Sequence, residues 1–380
     1  MTAARPREPS VVVLANQKGG VGKTTSALNI AFALRAAGRR VLLVDMDPQA
    51  SATVGLLADR AVEAYRERRT VAYAILHGVP LQQAILAEGT ETGIGRGLPF
   101  DLVPSHIDLA EVDGRREPGF DAALRERLDE VRGAYDHVVI DAPPNLGMLT
   151  WMALAAGGDV LVPVRTEPYD TMGVGLILST INKVQRRLNP RLRLAGILPT
   201  QFDRRKSVDR EVLLRLMTAL GENGPVLEPV PESAVFGHAA RDGLIALEAY
   251  PSAKATQVYA RLAAAIAAGA PLPRAERAAG GGRRRAGEGL RWRPHVPVAR
   301  LRSWEPPRPP SARPLPPWCR VRAASATASR RLWTRSSPIP TKHVSGSTRQ
   351  SSPNSPRPWP TRASSSRSFY AATRPGRPAG

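Results

Sequence analysis

The stretch VVVLANQKGGVGKTT, residues 11–25, constrains the fold more than any other part of the chain. A short β-branched apolar run at 11–15 stops at a glycine-rich loop, which predicts a strand buried on both faces of a parallel sheet. Beyond the loop, Ala27, Leu28, Ala31 and Leu34 recur at helical spacing. That spacing predicts a helix over 24–35, with Gly38 at its C-terminal end. A second apolar run, VLLVD at 41–45, follows at once. Strand, loop, helix and strand in so short a span form a βαβ unit, whose crossover is right-handed.

The alternation continues along the chain. Apolar runs at 100–105, 137–144, 159–164 and 194–200 are separated by helical stretches, which are read at 121–132, 146–156, 173–188 and 207–220. The stretch 225–231 reads as a last strand and the Ala-rich 252–268 as a closing helix. Six or seven buried strands between helices predict a doubly wound α/β domain, a mostly parallel sheet with helices on both faces. The expected division is an N-terminal arm at 1–9, a domain at 10–270 and a tail at 271–380.

Charge sets the tail apart from the domain. The chain of 380 residues carries a net charge of +21. Residues 1–270 hold 31 basic and 30 acidic side chains, whereas residues 271–380 hold 23 and 3. The tail is rich in Arg, Pro and Ser, contains five of the six Trp, and lacks apolar periodicity. Such composition cannot build a core, so disorder is expected there. Two origins fit it: a genuine basic tail, or an out-of-frame reading of GC-rich DNA. The single cysteine, Cys319, excludes a disulfide framework or a cysteine-held cluster within one chain. VVVLA is too short to span a membrane, and a cytoplasmic protein is expected.

The loop KGGVGKTT (18–25) sits where strand meets helix, and a helix N-terminus attracts phosphate. Gly19, Gly20 and Gly22 let backbone N–H groups turn inward on phosphate oxygens, with Val21 and Thr25 completing the segment. Lys23 is placed to reach the β- and γ-phosphates and the Thr24 hydroxyl to bind Mg²⁺. The usual pattern, G-x-x-x-x-G-K-[ST], is not met in full, because its first position is Gln17. Asp45 and Asp47 end the second strand and Asp141 ends HVVID. Carboxylates at strand C-termini point to the edge where such sheets bind ligands.

KGGVGKTT resembles the deviant Walker A motif of the ParA/MinD class of P-loop ATPases, which is marked by an extra lysine, here Lys18. DMDPQ (45–49) resembles the switch I segment of ParA-type proteins, and HVVIDAPPNLG (137–147) their Walker B and switch II. VPVRTEPYDTMGV and LNPRLRLAGILPTQFDRR resemble them in order and spacing, so the likeness covers residues 10–265. It implies an ATPase using ATP and Mg²⁺. Lys18 would reach the partner's nucleotide across an ATP-bound homodimer. The likeness makes Lys18, Lys23 and Asp47 catalytic, with Asp47 orienting or activating the attacking water. Residues 18–25 would hold the nucleotide, and Thr24, Asp47 and Asp141 the metal. Gln49 would contact the switch region. Asp45 stays open between tuning the site and ending the strand.

The function so implied is DNA partition of the Soj type, with slow intrinsic turnover if Lys18 acts only in the dimer. ATP-bound dimers would coat non-specific DNA on the nucleoid, and a ParB-type centromere-binding partner would stimulate hydrolysis. Candidate phosphate contacts are Arg186, Arg187, Arg191 and Arg193, then Arg204, Arg205 and Lys206. One departure stands out: VPESAVFGHAARDG (230–243) carries Glu232 and Val235 where positive side chains are expected, and only Arg241 is basic. The alternative is a MinD-like membrane-cycling ATPase, which needs a basic amphipathic helix with bulky apolar residues; 252–268 supplies few of these. Iron–sulfur relatives need paired cysteines. A third possibility gives nucleic-acid binding to the Arg and Trp residues of the tail.

Overall fold

The structure, a computed structural model, describes residues 8–115, 117–167, 170–220 and 224–276, without the side chains of 170–172. The arm up to residue 7, the tail from 277 onward and Cys319 lie outside the described residues.

Six strands form one sheet in the order β3-β2-β4-β1-β5-β6. They are β1 Ser10–Leu14, β2 Val41–Asp45, β3 Asp101–Val103, β4 His137–Asp141, β5 Asp159–Arg165 and β6 Arg193–Thr200, and every pairing is parallel. The chain starts near the centre, winds outward through β2 and β3, returns to β4, and then crosses β1 to build the other half. Reversal of winding direction opens a crevice at the carboxyl ends of the central strands.

Strand side chains alternate between the two faces, and each face has its own core. Val12 and Leu14 of β1, with Leu43 and Val139, pack against the Lys23–Ala36 and Lys254–Ala268 helices. Val13, Leu42 and Ile140 face the opposite way, onto the Met148–Ala156, Asp170–Arg187 and Ser207–Leu220 helices. The doubly wound α/β expectation therefore holds, with helices on both faces.

Some boundaries differ from the sequence reading. The stretch 225–231 is not a strand. It makes isolated bridges from Val226 to Ile197 and from Pro231 to Phe202. Pro225, Pro229 and Pro231 remove the ladder donors that a regular strand would need. The packed body also runs past 270: Ala275 N–H donates to Val226 C=O (2.9 Å) and Glu228 N–H to Pro273 C=O (3.0 Å). Leu272 and Ala275 pack on the two cores. The helix expected at 121–132 is confined to Ala123–Asp129, preceded by a 3-10 turn at Phe120–Ala122. Between β2 and β3 stand short helices at Ser51–Leu57, Arg60–Arg66, Val71–Leu76 and Leu81–Ala84. None is long enough to display a helical period in the sequence.

Candidate functional site

Three adjacent strands end in register at the crevice. Leu14 of β1 lies beside Asp141 of β4, and Asp141 lies beside Asp45 of β2. Both aspartates are fully buried. Their surroundings nevertheless differ.

Asp45 is saturated with donors. Its carboxylate accepts from the Thr53 hydroxyl (2.7 Å), the Thr53 N–H (2.9 Å) and the Asp47 N–H (3.1 Å). Burial pushes its pKa up to about 6 against these bonds. The side chain thus anchors the start of the Ser51–Leu57 helix. Asp45 ends β2, and its carboxylate also holds the N–H of Asp47 in the loop that follows.

Among the described residues, no donor meets hydrogen-bond geometry at either carboxylate oxygen of Asp141. Burial, and then the negative charge of Asp45, raise its pKa well above the usual range. The Thr24 hydroxyl and the Lys23 ammonium are close enough to favour its charged form. Lys23 in turn is buried, and desolvation lowers its pKa while Asp141 and Asp47 hold it up. The structure therefore brings Lys23, Thr24, Asp47 and Asp141 to one point. Two buried acceptor oxygens without donors, beside a hydroxyl and a second carboxylate, suit a hard cation. Among the described residues no group of three or more His, Cys, Asp or Glu could hold a metal. An all-protein cage is therefore not what the site offers; a magnesium that keeps waters and shares phosphate oxygens fits it.

The loop before the first helix is braced from several elements. Gly20 and Gly22 adopt left-handed φ of 72° and 82°, which a side chain would strain. The Asn16 amide donates to Pro163 C=O (2.7 Å), and Asn16 Oδ1 accepts from Lys18 N–H (3.1 Å). At the end of β6 the Thr200 hydroxyl lies 2.9 Å from Val21 C=O and 3.2 Å from Val164 C=O. Gln201, itself at φ 53°, donates to Gly20 C=O (2.8 Å). Val21 turns its side chain into the core, so only its backbone serves the loop. Thr25 C=O accepts from the Asn29 amide (2.7 Å). Gln17 reaches across to Gly173 C=O (3.5 Å).

The two lysines part company here. Lys23 points inward, its ammonium donating to Lys18 C=O (3.1 Å). Lys18 stands at the rim, 41% exposed, with its ammonium 3.6 Å from Glu167, which also pairs with Arg165.

Opposite the crevice, Asp47 accepts from Gln49 N–H at its Oδ1 (3.0 Å), so it is the backbone of Gln49 that meets the switch loop. The Ser105 hydroxyl donates to Asp47 C=O (2.7 Å) and the Ser105 N–H to the Thr53 hydroxyl (2.8 Å). Sequence reasoning missed Asn16, Thr53, Ser105, Thr200 and Gln201. Asn16, Ser105, Thr200 and Gln201 stand at or just beyond the carboxyl end of a predicted strand, but nothing in the sequence ties any of the five to its partner.

The candidate DNA contacts separate into two groups. Arg193 opens β6 and pairs with Asp159 at the start of β5; Arg191 pairs with Glu8 (3.4 Å). Arg186 and Arg187 end the helix that leads there. Arg204, Arg205 and Lys206 follow β6 at the other edge, roughly 20 Å away by strand rise. Arg205 pairs with Asp203 (3.0 Å), and Lys206 pairs with Glu232 (2.8 Å). Glu232, the acidic departure noted in the sequence, thus pairs with one of the candidate DNA-contact cations.

A buried lysine on a glycine-rich loop, facing strand-end carboxylates at the switch point of a parallel sheet, defines the P-loop NTPase class. Residues 9–194 match the AAA domain family model AAA_31. The chromosome-partitioning ATPase Soj of Thermus thermophilus is 40% identical over 260 residues, covering 68% of this chain and 95% of that protein. The chain belongs to the ParA/Soj family of partition ATPases. An uncharacterized protein of Mycobacterium tuberculosis is 40% identical over 214 residues, and the match spans 64% of its length. Among solved structures, the Mycobacterium smegmatis protein described as cobyrinic acid a,c-diamide synthase, with bound ADP and magnesium, superposes at TM-score 0.58. It is 35% identical, covering 71% of this chain and all of that one.

Proposed function

We propose that this protein is an ATP-dependent DNA partition ATPase that works as a nucleotide-gated dimer. One observation carries the reading: Lys23, Thr24, Asp47 and Asp141 converge on one buried point, while Lys18 stands at its rim. The M. smegmatis relative, crystallised with ADP and magnesium, supports ATP and Mg²⁺ as ligands.

Phosphoryl transfer needs positioning and charge neutralisation rather than covalent chemistry by the protein. Loop N–H groups between Gly19 and Thr24 cradle the phosphates, and Lys23 leaves the Lys18 carbonyl for the phosphate oxygens. Thr24, Asp47 and Asp141 would hold a magnesium ion, which would supply further positive charge. Asp47, fixed by Ser105 and Asp45, orients the attacking water. Lys18 leaves Glu167 and reaches the nucleotide of a second copy. Turnover is slow until that dimer forms. A ParB-type partner stimulates hydrolysis and releases the dimer.

ATP-bound dimers hold non-specific DNA by phosphate contacts, which ties the protein to the nucleoid. Of the two basic groups, only Arg204, Arg205 and Lys206 lie on the nucleotide edge, so these are the contacts a dimer would gate. The MinD-like alternative is disfavoured by the Lys254–Ala268 helix. Its apolar side, with Val258, Tyr259 and Leu262, is spent on the core and leaves no face for lipid. No described helix is long and apolar enough to cross a membrane.

The test uses the full chain and its Lys18→Ala variant, each with and without Mg-ATP. The wild type is expected to self-associate and bind DNA only with ATP, and Lys18→Ala to do neither. DNA binding that ignores nucleotide and survives Lys18→Ala assigns binding to the basic tail and removes the switch.

A further inference from the structure

The segment between Asp141 and the next helix is fixed at its first end by the sheet. Its far end is fixed by a residue that belongs to no motif. Asp113 lies in the 3-10 segment Ile107–Gly114, which follows β3 and packs Leu109 and Val112 into the same core as Leu149 and Met152. Its carboxylate faces the start of the Met148–Ala156 helix. Oδ1 accepts from Leu149 N–H (3.4 Å), and Oδ2 accepts from the Asn145 amide (3.4 Å).

Asn145 passes the constraint on. Its own Oδ1 accepts from Gly147 N–H (3.0 Å), and its C=O accepts from the Thr150 hydroxyl (2.6 Å). Gly147 shows how closely the carboxylate approaches. A Cβ built there would lie 2.6 Å from Asp113 Oδ1 and 3.0 Å from its Cγ. The backbone at Gly147 has φ −74°, so a side chain there would compete for the space the carboxylate occupies and would not strain the backbone.

We infer that Asp113 is a positioning residue of the ATPase site: through Asn145 it sets the path of residues 142–147, the loop leaving Asp141. The inference rests on the ATPase reading above. Asp113 touches no reacting group. It acts on where the loop beyond Asp141 stands, so its loss lowers the rate of the chemical step more than nucleotide binding, which Lys23 and the glycine loop hold separately.

The experiment measures ATP hydrolysis by the full chain with Mg²⁺ for wild type, Asp113→Asn, Asn145→Ala and the double variant. Hydrogen exchange of residues 142–149 is followed on the same samples. Asp113→Asn is nearly isosteric and keeps an acceptor for Leu149 while presenting the wrong group to Asn145. Expected are a fall of about tenfold in kcat, KM for ATP within about twofold, and faster exchange at 142–149. The double variant is expected to lose no more than the worse single one, since both act through one contact. Wild-type kcat in Asp113→Asn, unchanged exchange, or a double loss equal to the product of the single losses overturns the inference. Should the wild type itself fail to hydrolyse ATP while exchange still responds to Asp113→Asn, the ATPase reading falls, and the catalytic role of Asp113 falls with it.

Discussion

The Lys18 ammonium rests 3.6 Å from the Glu167 carboxylate, within its own chain. Under the dimer reading proposed above, this pair holds Lys18 within its own chain until nucleotide arrives. Both side chains are close to half exposed, so the pair is worth no more than about 1 kcal/mol. Glu167→Gln should accordingly lower the ATP concentration needed for self-association by no more than about fivefold. Light scattering against ATP concentration measures this. A rise in the required concentration would show that Glu167 serves the assembled dimer instead.

Thr200 offers one hydroxyl to two buried carbonyls, those of Val21 and Val164. Thr200→Val keeps the shape and strips the donor, leaving acceptors unsatisfied at a cost of about 1–3 kcal/mol. Nucleotide affinity should fall together with the thermal midpoint, because the damaged contact is part of the loop itself. Calorimetric titration with ATP, beside a melting curve, would expose an intact affinity if β6 does not brace the loop.

Glu232 neutralises Lys206 on the nucleotide edge. Glu232→Gln should tighten ATP-dependent DNA binding and steepen its dependence on salt by about one counterion, as a freed cation takes a phosphate. Anisotropy titrations over a salt series give both numbers. An unchanged slope would exclude Lys206 from the DNA face.

At the opposite edge, the Asp136 carboxylate accepts from the Arg40 guanidinium (2.9 Å) and from the Arg40 backbone N–H (2.9 Å), joining the entries of β2 and β4. Hydrogen bonds from Arg40 hold the Asp136 pKa down at about 2. A depressed carboxylate stabilises the fold above its unfolded pKa, near 4, and loses that contribution as the pH falls towards 2. Wild type should therefore melt above Asp136→Asn at pH 7, by less than about 1 kcal/mol given the exposure of the pair. The gap should close on acidification through that window. A gap that stays constant down to pH 2 would assign the difference to packing.

Strands and long helices were legible because burial on both faces writes continuous apolar runs, and helices of three turns or more write a period. VVVLA, VLLVD and HVVID each became a strand ending at the crevice. The short helices of 51–84 left no such trace, being held by tertiary contacts such as Thr53 on Asp45. Three prolines within 225–231 carried the counter-signal to its apolar pattern and decided against a strand. At the site, the residues that carry charge were found through the glycine loop and the resemblance of their motifs to ParA-type proteins. Those that hold them in place, Thr53, Ser105, Thr200 and Asp113, could be found only once distant segments met.

The helix that carries Lys23 and Thr24 packs along the Lys254–Ala268 helix, with the Ser26 hydroxyl 3.0 Å from that of Tyr259 and the Asn29 side chain accepting from Leu247 N–H (2.8 Å). The glycine loop is thus translated well before Leu247 and Tyr259, the residues that back its helix. A growing chain cannot close this pocket until nearly the whole body has emerged.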